Sequence, residues 1–316
     1  MRRGNVFYHL TAFVVVVIWG STFVFTKLLL QEGLSPALIF TLRFIIAYVL
    51  LVAYQLLYSL TPFLCKAACG DTRLPRLFCK NWKDEFLMLA LGITGGSVYF
   101  LAENAAMLYT TATNTSLIVC SCPLFTMLLV ALVYRKTERF TRQQVTGSLM
   151  ACLGMAVVVL NGHFVLHLSP LGDLLAFAAC ILWALYSLLM IPANQKYDAL
   201  FITRKVFFYG LLTMIPYYLW NPVELSVFNC QFSSFRFPLS ILWNLLYLGV
   251  IASMGCFLVW NWVIRRLGAV ETTNWVYINP VSTILFAWWL LNEYITLWFL
   301  LGTILILVGM YLCDKK

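Results

Sequence analysis

The stretch LGITGGSVYFLAEN at residues 91–104 returns 157 residues later (91 to 248) as LGVIASMGCFLVWN at residues 248–261. Under this slide Leu91-Gly92 falls on Leu248-Gly249, Phe100-Leu101 on Phe257-Leu258 and Asn104 on Asn261, and the register holds as far as Pro123 on Pro280. After a two-residue slip it resumes with Glu138 on Glu293, Thr141 on Thr296, Gly147 on Gly302 and Gly154 on Gly309. Upstream it weakens to Trp19 over Trp183 and Arg43 over Lys205. One such pair could arise by chance, but an ordered series at nearly constant offset reads as an internal duplication. We divide the chain into residues 1–161 and 162–316.

Neither copy could present a soluble surface. The 316 residues are 62% hydrophobic and 10% charged, with a mean hydropathy of +0.88, against about 45–50% apolar and 25% charged in soluble domains. A hydrocarbon core about 30 Å thick needs about 20 mostly apolar residues per helix. The chain divides into segments of that size at 10–30, 36–58, 86–108, 112–134, 143–161, 171–191, 199–220, 240–264, 270–291 and 297–313. The expected fold is therefore an all-α membrane protein of ten transmembrane helices. Five spans per copy is an odd number, so the second copy enters the membrane from the opposite side, giving an inverted repeat of the kind that secondary transporters use. The apolar run after Met1-Arg2-Arg3-Gly4 extends past Trp19 without a small-residue cleavage site, so it reads as a first span rather than a signal peptide.

The formal charge of +9 is a topology signal. With both termini placed in the cytoplasm, 18 of the 21 Lys and Arg residues fall in inner segments, Arg236 alone in an outer loop, and Lys27 and Arg43 inside spans. That is the positive-inside pattern of a multi-pass protein of the inner (cytoplasmic) membrane. The expected partners are the lipid bilayer and a small-molecule substrate, with no nucleic acid; the sequence leaves the oligomeric state open. Residues 59–85 mix basic and apolar residues with Pro62, Gly70 and Pro75 and read as an interfacial loop on anionic headgroups. Of ten cysteines, only Cys230 lies in an outer loop, which argues against structural disulfides. Cys65, Cys69 and Cys79 lack a neighbouring histidine, so no metal site is expected there.

Trp19-Gly20-Ser21-Thr22 with Lys27, Pro36 followed by Arg43-Phe44, the stretches from Pro123 to Glu138-Arg139 and from Pro280 to Glu293, and the paired glycines of spans five and ten resemble the EamA-like branch of the drug/metabolite transporter superfamily. The resemblance implies ten helices, cytoplasmic termini, a central cavity between the halves, and movement of amino acids or related metabolites, often outward. Two departures stand out: the loop 59–85 is longer than the family's usual connection, and Glu103 occupies a position commonly apolar.

Charges inside a membrane cost about 2.5–3.5 kcal/mol each on insertion scales and default to function. Lys27, Arg43 and Glu103 all fall in the outer half, where one carboxylate and two cations would form a cluster able to take a substrate carboxylate or phosphate, with Arg43 suited by its planar fork. The plainer alternatives are snorkelling for Lys27 and a structural Arg43–Glu103 ion pair. Gly92, Gly96, Tyr99 and Glu103 share a helical face, as do Gly249, Ser253, Cys256 and Trp260. Small residues there serve close packing, and the large residue ending each stripe marks where a cavity would begin. Trp19 with Thr22, and Trp183 with Tyr186, offer aromatic walls, with lipid contact as the competing reading. Asn274, Asn279 and Trp275, just before Pro280, are expected to face the opening, with helix–helix hydrogen bonding as the competing reading. The candidate substrate-binding residues are thus Trp19, Arg43, Tyr99, Glu103, Trp183, Tyr186, Trp260 and Asn274. Pro123 and Pro280 each remove a backbone donor inside a span and are candidate gating hinges.

Catalytic signals are poor. His163 and His167 lack an acidic partner, His9 is isolated, and no phosphate loop, nucleophile elbow or carboxylate pair is present. The sequence therefore points to a non-enzymatic secondary transporter of small metabolites, without a cofactor, working by alternating access. The other readings left open are a lipid-linked or nucleotide-sugar carrier of the same architecture, and a non-transporting membrane enzyme or sensor.

Overall fold

A computed structural model describes residues 3–60, 77–134, 141–160, 169–222, 239–291 and 297–314. Most of the loop 59–85, with Cys65 and Cys69, lies outside these residues, as do Glu138, Arg139, His163, His167, Cys230, Arg236 and Glu293. Every regular element among the described residues is a helix, and none is a strand. This follows from the solvent: in hydrocarbon a backbone must satisfy its own hydrogen bonds, and a helix does so within each segment.

In chain order the helices are α1 Arg3–Gln31, α2 Pro36–Leu60, α3 Trp82–Gly92, α4 Val98–Tyr109, α5 Ala112–Val119, α6 Cys122–Val133, α7 Arg142–Leu160, α8 Pro170–Lys196, α9 Ala199–Leu212, α10 Ile215–Trp220, α11 Leu239–Leu246, α12 Cys256–Leu267, α13 Ala269–Thr273, α14 Asn279–Leu291 and α15 Leu297–Asp314. Several run on into one another: α3 and α4 join through a π turn at Ile93–Ser97, α11 and α12 through a π turn at Tyr247–Gly255, and α13 and α14 through a 3-10 turn at Asn274–Ile278. Joined in this way, seven helices among the described residues are long and apolar enough to cross a membrane: Val6–Gln31, Pro36–Leu57, Trp82–Tyr109, Asn114–Val133, Pro170–Lys196, Ala199–Trp220 and Leu239–Leu267. Leu300–Cys313 is a shorter apolar helix. Gly33 (φ 90°) ends α1, with the Leu34 amide donating to the Leu29 carbonyl, and Gly268 (φ 92°) ends α12, conformations that a side chain would strain.

The core is a bundle in which α8 packs on α4 and α6, α1 on α14 and α12, and α2 on the second π turn. To one side, α7 and α15 form a tight antiparallel pair. A Cβ on Gly147 would come 2.6 Å from the Gly309 carbonyl oxygen, and one on Gly154 would come 2.8 Å from that of Gly302. Only glycine permits such backbone approach. The exposed belt is apolar, with Phe86, Leu132, Leu153 and Leu219 among its residues. In water this would be untenable; against lipid chains it is the expected surface.

The two prolines sit where helices restart. Pro123 is in the first turn of α6, after a break at Cys120 and Ser121, and Pro280 is the second residue of α14, after the 3-10 turn. Pro123 lies inside the span Asn114–Val133, as the sequence reading places it, but at a helix restart where no intrahelical donor is lost. First-turn amides have no intrahelical acceptor, so proline there breaks nothing and instead fixes the entry into the second rod.

Candidate functional site

A small buried cavity lies among α1, α2, α4, α5, α6, α8, α12, the 3-10 turn and α14. It is lined by Trp19, Thr22, Phe23, Arg43, Tyr99, Phe100, Glu103, Val119, Cys122, Trp183, Phe257, Val276 and Asn279. Its volume is about 30 Å³, room for one or two waters.

The local backbone explains how these side chains reach the same space. The two π turns widen their helices and break the regular hydrogen-bond ladder, a feature frequent at functional sites. In the first, Gly96 leaves the helical region altogether (φ −127°, ψ −109°), so α4 turns relative to α3 and carries Tyr99 and Glu103 toward the cavity. A Cβ on Gly95 would overlap the Tyr186 ring, which is why that turn is glycine-rich. In the second, the Ala252 carbonyl accepts a hydrogen bond from the Trp19 indole at 3.0 Å and Ser253 Oγ accepts one from Arg43 Nε at 2.8 Å.

Arg43 is only 2% exposed. Beyond Ser253 its guanidinium lies over the Phe100 ring, 4.5 Å from the centroid, and no further hydrogen bond engages it among the described residues. Glu103, 7% exposed, accepts one hydrogen bond, from the Tyr99 hydroxyl at 2.8 Å. No ion pair within 4.0 Å joins it to Arg43. The expected direct ion pair is thus replaced by two opposite charges that share a cavity without touching. Two neutral groups on the same wall are also unspent: the Trp183 indole nitrogen and the Asn279 side-chain oxygen are buried without a partner. Buried polar atoms without partners are rare enough to require a reason, and a ligand that offers an acceptor to Trp183 and a donor to Asn279 supplies one.

Aromatic rings close the rest. Trp19 meets Trp183 edge-on at 5.3 Å and Trp260 at 4.9 Å, and Tyr99 meets Trp183 at 5.0 Å. Of the residues named from sequence, Trp19, Arg43, Tyr99, Glu103 and Trp183 line the cavity together. Trp260 and Tyr186 stand behind the wall, fully buried, with the Tyr186 hydroxyl donating to Asn261 at 2.6 Å and the Asn261 amide donating to Thr203 at 2.8 Å. Asn274 does not belong: it lines a separate cleft with His9, Glu271 and Trp275, and its place in the cavity is taken by Asn279 one and a half turns on. Lys27 also leaves the cluster. Its ammonium donates to the Met107 and Thr110 carbonyls at 2.6 and 3.4 Å, where the C-terminal end of α4 attracts a cation.

Sequence reasoning missed Phe100 and Phe257, which give no signal apart from their coincidence under the repeat. It also missed a second polar cluster. Lys205, counted with an inner loop, is buried in α9 and paired with Glu85 at 2.9 Å, and Asp84 pairs with Lys196 at 2.6 Å. The alignment of Lys205 with Arg43 was the available clue. Among the described residues no group of three His, Cys, Asp or Glu side chains is arranged to hold a metal.

The model of the EamA-like transporter family matches residues 6–160 and 170–313. The chain belongs to this family. A relative of this EamA-like chain from Archaeoglobus fulgidus, named an uncharacterized transporter, is 27% identical over 315 residues, 98% of this chain and 97% of that protein. A probable amino-acid metabolite efflux pump of Salmonella typhimurium is 26% identical over 304 residues, 95% of this chain and 92% of its own length. A crystallised protein of 18% identity superposes with a TM-score of 0.67 over 97% of this chain and 96% of its own, a likeness that concerns the fold alone.

Proposed function

We propose that this EamA-like protein is a secondary transporter that exports small zwitterionic metabolites, amino acids or close relatives, across the cytoplasmic membrane by alternating access. The observation that carries the reading is the pair of buried, opposite, mutually unpaired charges in one cavity. An isolated buried charge costs several kcal/mol, and a substrate bearing both a carboxylate and an ammonium neutralises two at once. Arg43 and the Trp183 indole would take the carboxylate, and Glu103 and Asn279 the ammonium, while Trp19 and Tyr99 hold the apolar body. The name of the Salmonella relative agrees with this substrate class. A nucleotide-sugar or lipid-linked carrier would call for an excess of cations, whereas Arg43 and Glu103 sum to zero.

The architecture we propose is ten spans in two inverted halves, with both termini cytoplasmic as the cation distribution requires. Three observations support it. The family match falls into two stretches of similar length. Shifted by the repeat offset, the π turn at Ile93–Ser97 falls inside that at Tyr247–Gly255. Finally, Gly147 meets Gly309 while Gly154 meets Gly302, the reciprocal contact that a two-fold axis relating the copies requires. The cavity is too small for an amino acid as it stands, so binding requires the halves to part.

The test is uptake by purified protein in liposomes against a labelled panel of amino acids and nucleotide sugars, with and without a proton gradient. Saturable movement of at least one zwitterion is expected. Movement of nucleotide sugars alone would move the reading to the other carrier class, and movement of nothing would remove transport.

Pro123 and Pro280, each opening a second rod beside the cavity, are proposed as equivalent hinges. Replacing either by Ala should leave insertion intact and change the ratio of inward to outward initial rates by about threefold or more. Parental rates in both directions for both variants would make the prolines incidental.

A further inference from the structure

One polar cluster has no part in the cavity. At the start of α3, Asp84 accepts from Lys196 Nζ at 2.6 Å and from the Tyr197 hydroxyl at 2.9 Å. Glu85 accepts from Lys205 Nζ at 2.9 Å, from the Tyr209 hydroxyl at 2.6 Å and from the Cys79 amide at 2.7 Å. The Tyr197 hydroxyl in turn accepts from the Lys80 amide at 3.0 Å, and burial pushes it up to about 12, so at neutral pH it remains a donor to Asp84. Every carboxylate of the cluster comes from residues 77–92, and the side chains of its hydroxyls and cations come from residues 196–209.

Resting on the transport reading, we infer that this cluster is the lock that closes the face of the cavity toward the cytoplasm and is broken and remade in each cycle. The lock sits on a lever. Asp84 and Glu85 occupy the first turn of α3, α3 runs into the π turn whose Gly96 is out of helical conformation, and α4 beyond it carries Tyr99 and Glu103. Freeing the first turn of α3 lets that helix swing about Gly96 without unfolding α4, which couples the lock to the cavity wall. The two pairs are unequal. The Lys196 side chain is 53% exposed, so its pair with Asp84 is solvent-screened and weak. The side chains of Lys205 and Glu85 are 5% and 14% exposed, so their pair bears the closure.

The opposite end of the repeat is built differently. The counterparts of Asp84 and Glu85 under the 157-residue slide are Ile241 and Leu242, so this carboxylate pair has no counterpart in the second copy. Lys205 aligns with Arg43: the cation at the lock is ion-paired, and its counterpart faces the cavity without an ion pair. The device is therefore one-sided: the paired carboxylates that hold the inner face shut are not repeated at the equivalent position of the second half.

Cys122 lines the cavity, and its alkylation by a membrane-impermeant maleimide, quantified by mass spectrometry of its peptide, reports access from each face of sealed vesicles. Glu85→Gln and Lys205→Gln should each raise labelling from the cytoplasmic face about tenfold, the shift given by losing one charge-assisted hydrogen bond. The double variant should label no faster than either single one, since the two act as a pair. Tyr209→Phe, which removes a single hydroxyl, should give a smaller increase and guards against a variant that fails to fold. Rates within twofold of the parent in all variants, with Cys122 reached from the outer face as before, would overturn the lock and leave transport standing. Cys122 reached from neither face in parent or variants would overturn the transport reading and the lock with it.

Discussion

Replacing Arg43 by Gln is expected to lower zwitterion uptake in liposomes by about 100-fold or more while leaving the protein as stable as the parent, or more so. The two outcomes separate because Arg43 is buried without an ion pair. A fork that makes two charge-assisted hydrogen bonds to a substrate carboxylate contributes roughly 1.5–3 kcal/mol for each, and two such bonds correspond to a hundredfold or more in affinity. For the empty protein the same charge is a burden, offset in part by Ser253, the Phe100 ring and the attraction of Glu103 across the cavity, and functional sites commonly hold such groups at the expense of stability. Glu103→Gln should behave alike, with uptake lost and the Tyr99 hydroxyl still able to donate to the amide oxygen. The double variant should be at least as stable as either single one without recovering uptake. A fall of several kcal/mol in the stability of either single variant, restored in the double, would show that the charges support each other directly, and the substrate site would then move toward the walls formed by Trp19 and Trp183.

The second large effect concerns the α7–α15 pair. A Cβ on Gly309 would come 2.5 Å from the Ala151 amide nitrogen, and one on Gly154 2.7 Å from that of Ile306. Both neighbours are backbone and cannot rotate aside. Gly309→Ala and Gly154→Ala should therefore force the helices apart, costing about 1–3 kcal/mol as overpacking does, and Gly309→Leu should abolish folded yield. Gly255→Ala is the control, since its Cβ would meet the Val250 carbonyl oxygen at 3.5 Å, an ordinary contact. Thermal unfolding in detergent, followed by size-exclusion recovery, reads the difference. Equal stability of Gly309→Ala and Gly255→Ala would mean that the glycines are not what brings the two helices together.

Much of the helix layout was legible in the sequence. The segments expected at 36–58 and 171–191 appear as Pro36–Leu60 and Pro170–Lys196, because apolar length is written locally and a bilayer admits few other solutions. Five of the eight candidate binding residues line one cavity, found through the rule that membrane-interior charges and paired aromatics mark sites. The failures share a cause. Asn274 and Asn279 are equally polar and only five residues apart, but the 3-10 turn Asn274–Ile278 rotates one away from the cavity that the other faces, and a change of helical pitch has no signature in composition. Lys27 was grouped with Arg43 by depth, yet depth fixes only one coordinate, and its azimuth on α1 delivers it to the carbonyls ending α4.

The sequence by itself determined the class of solvent, the helical secondary structure and the membership of the EamA-like family, because each depends on residue type and on spacing along one chain. Only the tertiary structure decided which charges meet: Arg43 with Ser253 rather than Glu103, and Glu85 with Lys205 across 120 positions of sequence. An ion pair forms or fails over a few ångströms, and those distances are set by the crossing of helices and the two π turns that bend them.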